Sequence, residues 1–191
     1  MRARTWISGC RILVAGLALA GCSATLLAPP ASAASSKITT IVVVRHAEKA
    51  TDDPRDPTLS PAGQERAEEL AKALGGASVS AVYVTEFKRT RLTAEPTAQH
   101  FNLTIQTQAR AEMTPDVYAR DLMPKILKKH AGKVVLIVGH SDTVPAIVKV
   151  LTGTTVAPID EAEFDRLYVV EVPKSGAARL IAARYGRPGP P

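Results

Sequence analysis

Two short apolar runs each end in a histidine. Residues 41–46 read Ile-Val-Val-Val-Arg-His, and a second run of the same kind ends in Gly139-His140. Continuous Val/Ile stretches are typical of parallel strands covered on both faces, and open α/β sheets bind ligands at the carboxyl ends of their strands. A guanidinium beside an imidazole suits phosphoryl chemistry, because Arg45 can hold the anionic group while His46 attacks it.

A third basic residue, Arg89, lies between these runs, near the predicted start of a helix. In-line attack on a phosphoryl group builds negative charge on its oxygens, where Arg45, Arg89 and His140 would supply positive donors. The nucleophile, His46, needs one unprotonated ring nitrogen and a fixed ring, which a rigid strand end provides. Singly, Arg89 fits a surface charge and His140 a core histidine equally well. Together, at matching strand ends, they indicate a phosphoryl site.

The elements that must position these residues alternate along the chain. A hydroxyl cap followed by proline predicts a helix start at Ser60-Pro61 and again at Thr114-Pro115. The apolar runs predict strands at 41–45, 81–84, 103–106, 134–138, 167–172 and 179–184, and helices at 61–74, 88–99, 115–130 and 143–151. Such alternation predicts an α/β fold, a three-layer α/β/α arrangement in which helices flank a mainly parallel sheet.

Residues 1–36 have the layout of an export signal. A basic start is followed by an apolar stretch at 12–20 and a small-residue segment at 29–34, and the apolar stretch is too short for a membrane span. The segment Leu19-Ala20-Gly21-Cys22 resembles a bacterial lipobox and implies membrane attachment through acylated Cys22. Ala31-Ser32-Ala33 instead matches the small-x-small site of ordinary signal peptidase, which implies release as a soluble protein; of the two sites we slightly prefer the lipobox. We therefore expect an exported protein, periplasmic or lipid-anchored in the bacterial envelope, with secretion as the alternative.

The composition of the chain after residue 36 limits the kinds of site it can form. Both cysteines, Cys10 and Cys22, lie in the export segment, so no thiol is left for a disulfide, a metal or a nucleophile. The formal net charge of +6 falls by the three arginines of that segment to +3, and neither a basic stripe nor interleaved aromatic residues indicate nucleic-acid binding. Residues 37–186 have single-domain length, residues 187–191 predict a disordered tail, and no protein partner is implied.

Four segments, in order, resemble the histidine phosphatase superfamily, which includes the cofactor-dependent phosphoglycerate mutases. Residues 44–49 (Val-Arg-His-Ala-Glu-Lys) resemble its Arg-His signature, and 59–63 (Leu-Ser-Pro-Ala-Gly) its Leu-Thr-x-x-Gly helix start. Residues 85–95 (Thr-Glu-Phe-Lys-Arg-Thr-Arg-Leu-Thr-Ala-Glu) resemble Ser-Pro-Leu-x-Arg-Ala-x-Gln-Thr-Ala-Glu, and 138–141 (Val-Gly-His-Ser) the second-histidine strand. The resemblance implies a phosphoglycerate mutase-like fold, a phosphohistidine at His46, and neither a metal nor a cofactor.

The leaving group needs a proton, which a carboxylic acid facing the pocket would supply. By resemblance to the mutase branch, Glu112 is the preferred candidate. Asp142 competes because the more distant acid phosphatases carry Asp beside their second histidine, and Glu48 is a third candidate that could instead bond a pocket base. Glu112 also fits a surface carboxylate ahead of a helix start, where the helix dipole favours it. The sequence also departs from the motif at Glu86, where Pro is usual.

Other functions compete with a phosphatase. Ser141 follows a Gly-His pair as in a nucleophile elbow, but the closing Gly is replaced by Thr143 and no histidine follows. A phosphomutase of the same fold would need a large cap, for which the segment between Arg89 and His140 is short. A non-catalytic phosphate-binding module would be expected to lack one pocket residue. We therefore expect a phosphoric monoester hydrolase acting on a small phosphorylated substrate.

Overall fold

Ten elements form the part of the chain that the structure, a computed structural model, describes, residues 38–188. The strands are β1 (Thr39–Arg45), β2 (Val79–Val84), β3 (Ile105–Thr107), β4 (Val134–Gly139), β5 (Arg166–Val172) and β6 (Arg179–Arg184), and the helices are α1 (Pro61–Leu74), α2 (Lys88–His100), α3 (Pro115–Lys129) and α4 (Thr143–Thr152). Each predicted strand and helix is present.

The six strands form one sheet in the order β3-β2-β4-β1-β5-β6. The first four are mutually parallel, whereas β5 runs antiparallel to β1 and β6 antiparallel to β5. The predicted three-layer α/β fold with a mainly parallel sheet is therefore confirmed. Since β1 and β4 are neighbours near the centre, the residues that follow both strands emerge at the same edge of the sheet.

Both faces of the sheet are covered, which explains the continuous apolar run of β1. Ile41 and Val43 face a core that contains Leu122 of α3, while Val42 faces a second core that contains Leu70 of α1. Helices α1 and α2 pack together on one face, and α3 and α4 on the other. Every residue of the run is thereby buried, whichever face its side chain takes.

The predicted helix starts are present. Ser60 Oγ accepts from the Gly63 N–H at 3.1 Å and Thr114 Oγ1 from the Val117 N–H at 3.4 Å, so each cap satisfies a free donor of its helix. The strand predicted at 103–106 starts before the observed β3. The Leu103 N–H still bonds to the Ala98 carbonyl and closes the end of α2. The strand begins only after that turn, at Ile105.

Two predictions concern the ends of the chain. Arg187 was assigned to a disordered tail, but its carbonyl accepts from Arg66 Nη2 at 2.9 Å and its N–H donates to Glu69 at 3.2 Å. Residues 189–191 and 1–37 lie outside the described residues, and with the latter the predicted export signal and Cys22. Within the described range, no helix combines the length and apolarity needed to cross a membrane.

Candidate active site

The ends of three neighbouring strands bring the predicted site residues together. The His46 N–H donates to the Gly139 carbonyl at 2.9 Å, which extends the β1–β4 pairing, and the imidazoles of His46 and His140 lie 5.3 Å apart. Arg89 follows β2 in the first turn of α2, where its Cζ lies 4.1 Å from the Phe87 ring. That ring in turn packs edge-on against His140. We call Arg45, His46, Arg89 and His140 the strand-end group.

His46 is held as a neutral imidazole with one free ring nitrogen. Its Nδ1 lies 2.8 Å from the Ala47 carbonyl, and since a carbonyl only accepts, Nδ1 carries the hydrogen. Burial lowers the pKa of His46 to about 3, and the nearby His140, Arg45 and Arg89 lower it further against the Ala47 bond, which raises it. Nε2 is therefore unprotonated near neutral pH and can attack an electrophile.

The loop after His46 is fixed by the start of α1. A Cβ at Gly63 would overlap the Glu48 carbonyl oxygen, so only glycine permits this close approach. The Ser60 N–H donates to the same carbonyl at 2.9 Å. The glycine of the 59–63 motif therefore allows the loop after His46 to pack against the start of α1, which the sequence alone did not indicate.

Arg45 is almost completely buried and bound by the segment before β5. Its Nη1 donates to the carbonyls of Asp160, Glu161 and Glu163 at 2.6–3.1 Å, and Phe164 stacks 4.2 Å from its Cζ. Its Nη2 donates to Glu161 Oε2 at 2.9 Å. Burial lowers the pKa of Arg45, and the carboxylates around it, Glu161 first, oppose that effect. Sequence reasoning did not find this segment, because it lies more than a hundred residues away.

Two guanidinium donors of the site remain unpaired. The Nε atoms of Arg45 and Arg89 are both buried without a hydrogen-bond partner in the described chain. A buried donor without an acceptor is costly, by about 1–3 kcal/mol. Oxygens of an anion in the site would relieve that cost once it displaced the groups that now cover the two arginines. The electrostatics therefore favour an anionic ligand here.

His140 is neutral as well. Burial lowers its pKa to about 3, assisted by the positive charges of Arg89, Arg110, Arg45 and Lys49. Its Nε2 lies 2.9 Å from Thr85 Oγ1 at the end of β2. Sequence reasoning gave His140 a positive charge, but in the free protein it is a neutral, hydrogen-bonded ring. Its ability to donate to an anion therefore depends on which ring nitrogen carries the hydrogen.

Three carboxylates at the mouth of the site each pair with an arginine. Asp56 lies 3.8 Å from Arg89 Nη1, and Asp142 accepts from Arg110 Nη1 at 3.0 and 3.2 Å. Glu161, the third, pairs with Arg45 as described and accepts from Ser141 Oγ at 3.2 Å. We call Asp56, Asp142 and Glu161 the rim carboxylates. Asp56 also accepts from the Lys88 N–H at 2.9 Å, so a carboxylate already binds the start of α2.

The three candidate acids have different surroundings. Glu48 is bound by the Arg66 guanidinium, with three contacts of 2.7–3.0 Å, and links the loop after His46 to α1. Asp142 is bound by Arg110. Glu112 is exposed in the turn before α3 and has neither an ion pair nor a side-chain hydrogen bond to any residue of 38–188. Of the three, Glu112 alone has a carboxylate not bound by an arginine.

The described residues were compared with two other kinds of site, a serine-hydrolase site and a metal site. Ser141 Oγ donates to Glu161, and among residues 38–188 no histidine lies within hydrogen-bonding distance of it to act as a base. A serine-hydrolase site is therefore not assembled here. The described residues also contain no group of three or more His, Cys, Asp or Glu side chains that could hold a metal ion.

Comparison with known proteins agrees with this geometry. The family model of the histidine phosphatase superfamily (branch 1) matches residues 41–113. A search of curated proteins found no significant match. Residues 41–113 include Arg45, His46 and Arg89, but end before His140.

Solved structures share the fold. A mycobacterial glucosyl-3-phosphoglycerate phosphatase has a TM-score of 0.64 at 14% identity, covering 78% of this chain and 100% of its own. The protein histidine phosphatase SixA, complexed with tungstate, has a TM-score of 0.61 at 21% identity, covering 76% and 96%. A phosphoserine phosphatase from Entamoeba histolytica gives 0.60 at 13%, covering 78% and 98%. The chain is therefore similar to the histidine phosphatase superfamily over residues 41–113 and shares the fold of these phosphatases.

Proposed function

We propose that the protein is a phosphatase that hydrolyses small phosphate monoesters through a phosphohistidine on His46. The observation that carries the proposal is the state of His46, whose Nδ1–H is bound to the Ala47 carbonyl while Nε2 is left unprotonated. The His46 ring lies 5.3 Å from the His140 ring, and the positive charge of Arg45 is near enough to lower the His46 pKa. Arg45, Arg89 and His140 bind the phosphoryl oxygens, where negative charge grows during attack.

The reaction has two steps. His46 Nε2 attacks phosphorus, an N–P bond forms, and the P–O bond to the leaving group breaks. The leaving oxygen takes a proton from Glu112, so that an alcohol departs rather than an alkoxide. Water then attacks the phosphohistidine, Glu112 accepts the water's proton, and inorganic phosphate leaves with His46 and the acid restored.

The assignment of the acid to Glu112 rests on the contrast among the three carboxylates. Glu48 and Asp142 each direct their oxygens at a guanidinium, whereas Glu112 carries an unbound carboxylate on the turn that also holds Arg110. Arg110 is close enough to His140 to lower the pKa of that ring. The Glu112 turn thus lies at the same end of the sheet as the strand-end group.

Two alternatives fit less well. A phosphomutase would require a cap that retains and reorients its intermediate, but between Arg89 and His140 the chain is occupied by α2, β3, α3 and β4 with only short connections. A non-catalytic binding module has no need of an unprotonated histidine nitrogen held at the end of a strand. The N-terminal signal pattern of residues 1–36 supports export, with an envelope location in the periplasm or at a membrane through Cys22, and with secretion as the alternative.

The test is hydrolysis of an aryl phosphate by His46→Ala, measured in EDTA so that contaminating metal-dependent phosphatases are silent. We expect kcat to fall by at least about 10³-fold, because the covalent route is lost. His100→Ala is the matched control, since His100 is an exposed histidine at the far end of α2, and its activity should equal that of the wild type. Turnover of His46→Ala near the wild-type rate, with an unchanged circular dichroism spectrum, would reject the proposal.

A further inference from the structure

A buried chain of hydrogen bonds runs from α2 to His140. Thr90 Oγ1 lies 3.1 Å from Thr85 Oγ1, which lies 2.9 Å from His140 Nε2. Both threonine side chains are fully buried, so water does not compete for these hydroxyls. The motif that residues 85–95 resemble has alanine where this chain has Thr90. The outer hydroxyl of the relay is therefore a feature of this chain rather than of that motif.

The direction of the relay follows from its acceptors. Thr90 Oγ1 donates to the Phe87 carbonyl at 2.8 Å, its shortest bond, and this uses its single hydrogen. Thr90 Oγ1 can then only accept from Thr85, which uses the Thr85 hydrogen. Thr85 Oγ1 must in turn accept from His140, so His140 Nε2 carries a hydrogen. Reversing the relay would take the Thr90 hydroxyl hydrogen away from the Phe87 carbonyl, which would keep only the longer bonds from the Thr90 and Arg91 N–H groups at 3.2 and 3.3 Å.

The other ring nitrogen is the one left for a ligand. No residue within 38–188 forms a hydrogen bond with His140 Nδ1, and Nδ1 is not among the fully buried unpartnered atoms. In a neutral ring that carries Nε2–H, Nδ1 is a hydrogen-bond acceptor. A phosphate dianion also offers only acceptors, so the two groups cannot bond unless a proton is added between them.

We propose that Thr90, acting through Thr85, fixes His140 as the Nε2–H tautomer, so that His140 donates to a phosphoryl oxygen only after Nδ1 gains a proton. The proposal rests on the proposed phosphatase function and makes Thr90 and Thr85 positioning residues. Each phosphate dianion that binds is therefore accompanied by the uptake of one proton. Binding then adds a second hydrogen to the imidazole, and catalysis begins with His140 as an imidazolium.

The charges around His140 agree with this coupling. Arg89 from α2, Arg110 from the segment between β3 and α3, and Arg45 and Lys49 from β1 and the loop after it surround the ring, and His46 lies beside it. Burial of the ring is the main factor that opposes its protonation while the site is free of phosphate, and these cations add to it. A bound dianion offsets them, and the proton then becomes favourable. At pH values where free phosphate is a dianion, its affinity should fall about tenfold per pH unit, the slope for uptake of one proton.

The experiment follows the imidazole of His140 by long-range ¹H–¹⁵N NMR in the full chain, with its signals assigned by their loss in His140→Asn. Spectra are recorded at pH 8 without and with inorganic phosphate. In the wild type we expect Nε2–H with a bare Nδ1, and two protonated nitrogens after phosphate is added. Thr90→Ser keeps the hydroxyl and should behave like the wild type. Thr90→Ala should populate both tautomers and lose most of the tenfold pH slope in phosphate affinity.

The outcomes separate this inference from the proposed function. An Nδ1–H tautomer in the free wild type, no change at His140 on adding phosphate, or identical behaviour of Thr90→Ala and Thr90→Ser would each overturn it. Since the spectra use inorganic phosphate, they report on His140 even if no ester is hydrolysed. Conversely, hydrolysis through His46 combined with the wrong tautomer would reject the relay alone.

Discussion

The strand-end group and the rim carboxylates are held in contrasting ways. Backbone carbonyls bind Arg45 and His46, and both side chains are buried. The rim carboxylates are bound mainly by arginines, and the side chain of Glu161 is 76% exposed while that of Arg45 is 2% exposed. Arg45 and His46 are thus fixed by the main chain, whereas the rim carboxylates are bound mainly by side chains.

This contrast suggests that substrate exchanges with an internal carboxylate. Arg45 Nη1 is used by three carbonyls, which leaves Nη2 and the unpaired Nε as the donors that a ligand could reach once the covering groups are displaced. Glu161 occupies Nη2 at 2.9 Å. A phosphoryl oxygen that reaches Arg45 through Nη2 must therefore replace an anion rather than water, and the following predictions test the two regions against each other.

Apart from the loss expected in His46→Ala, the largest effect is expected at Arg89. Arg89→Ala should lower kcat/KM for an aryl phosphate by about 10²–10³-fold, because one donor to the developing phosphoryl charge is lost. Arg91→Ala is the matched control, since Arg91 lies on the same helix but bonds to Thr107 at the surface. The measurement is kcat/KM of both variants from steady-state kinetics. Equal losses would mean that the helix as a whole, rather than the strand-end position, supports activity.

The next effect separates the candidate acids. Glu112→Gln should slow an alkyl phosphate by about 10²-fold or more and a nitrophenyl phosphate far less, because a good leaving group hardly needs the proton. Asp142→Asn should have a modest effect on both esters, since asparagine can still accept from Arg110. Leaving-group dependence in Asp142→Asn and not in Glu112→Gln would transfer the role to Asp142.

Acid should destabilise the protein through the strand-end histidines. Burial lowers the pKa of His46 from 6.5 to about 3, so between these values the unfolded chain binds the proton that the folded site refuses. The contribution of each neutral histidine to the free energy of unfolding is fully present above pH 6.5. It is lost as the pH falls, by about 2 kcal/mol per histidine at pH 5. Between pH 7 and pH 5, the free energy of unfolding measured with urea should therefore decrease by about 2 kcal/mol less in His46→Asn than in the wild type. His100→Asn should lose as much as the wild type, and an unchanged slope in His46→Asn would show that His46 is not buried neutral.

The smallest effect is expected at the rim. Glu161→Gln should lower the inhibition constant of inorganic phosphate by up to about fivefold, because an ion pair with an exposed carboxylate contributes about 1 kcal/mol or less. Glu65→Gln, which removes another exposed ion pair at Arg187, is the control and should leave phosphate inhibition unchanged. Weaker inhibition in Glu161→Gln would indicate that Glu161 positions Arg45 instead of competing for it.

Local pattern explains why one region was predictable and the other was not. The β1 run and the Arg-His pair at its end are contiguous, so burial and position at the sheet edge could both be inferred from residues 41–46. Glu161 reaches Arg45 across 116 positions, and no spacing signals such a contact. The relay at Thr90 was equally hidden, because a threonine inside a helix gives no sign of which hydroxyl it will meet.

A phosphoryl group covalently attached to His46 is the central intermediate of the proposed mechanism. Rapid-quench mass spectrometry of the protein mixed with excess nitrophenyl phosphate should find an acid-labile phosphoryl group on the peptide that contains His46, formed before steady-state turnover and absent from His46→Ala. The same phosphopeptide should persist longer in Glu112→Gln, because that variant lacks the carboxylate that activates water. A phosphoryl group on any other residue, or hydrolysis by the wild type with no phosphoprotein formed, would contradict the account.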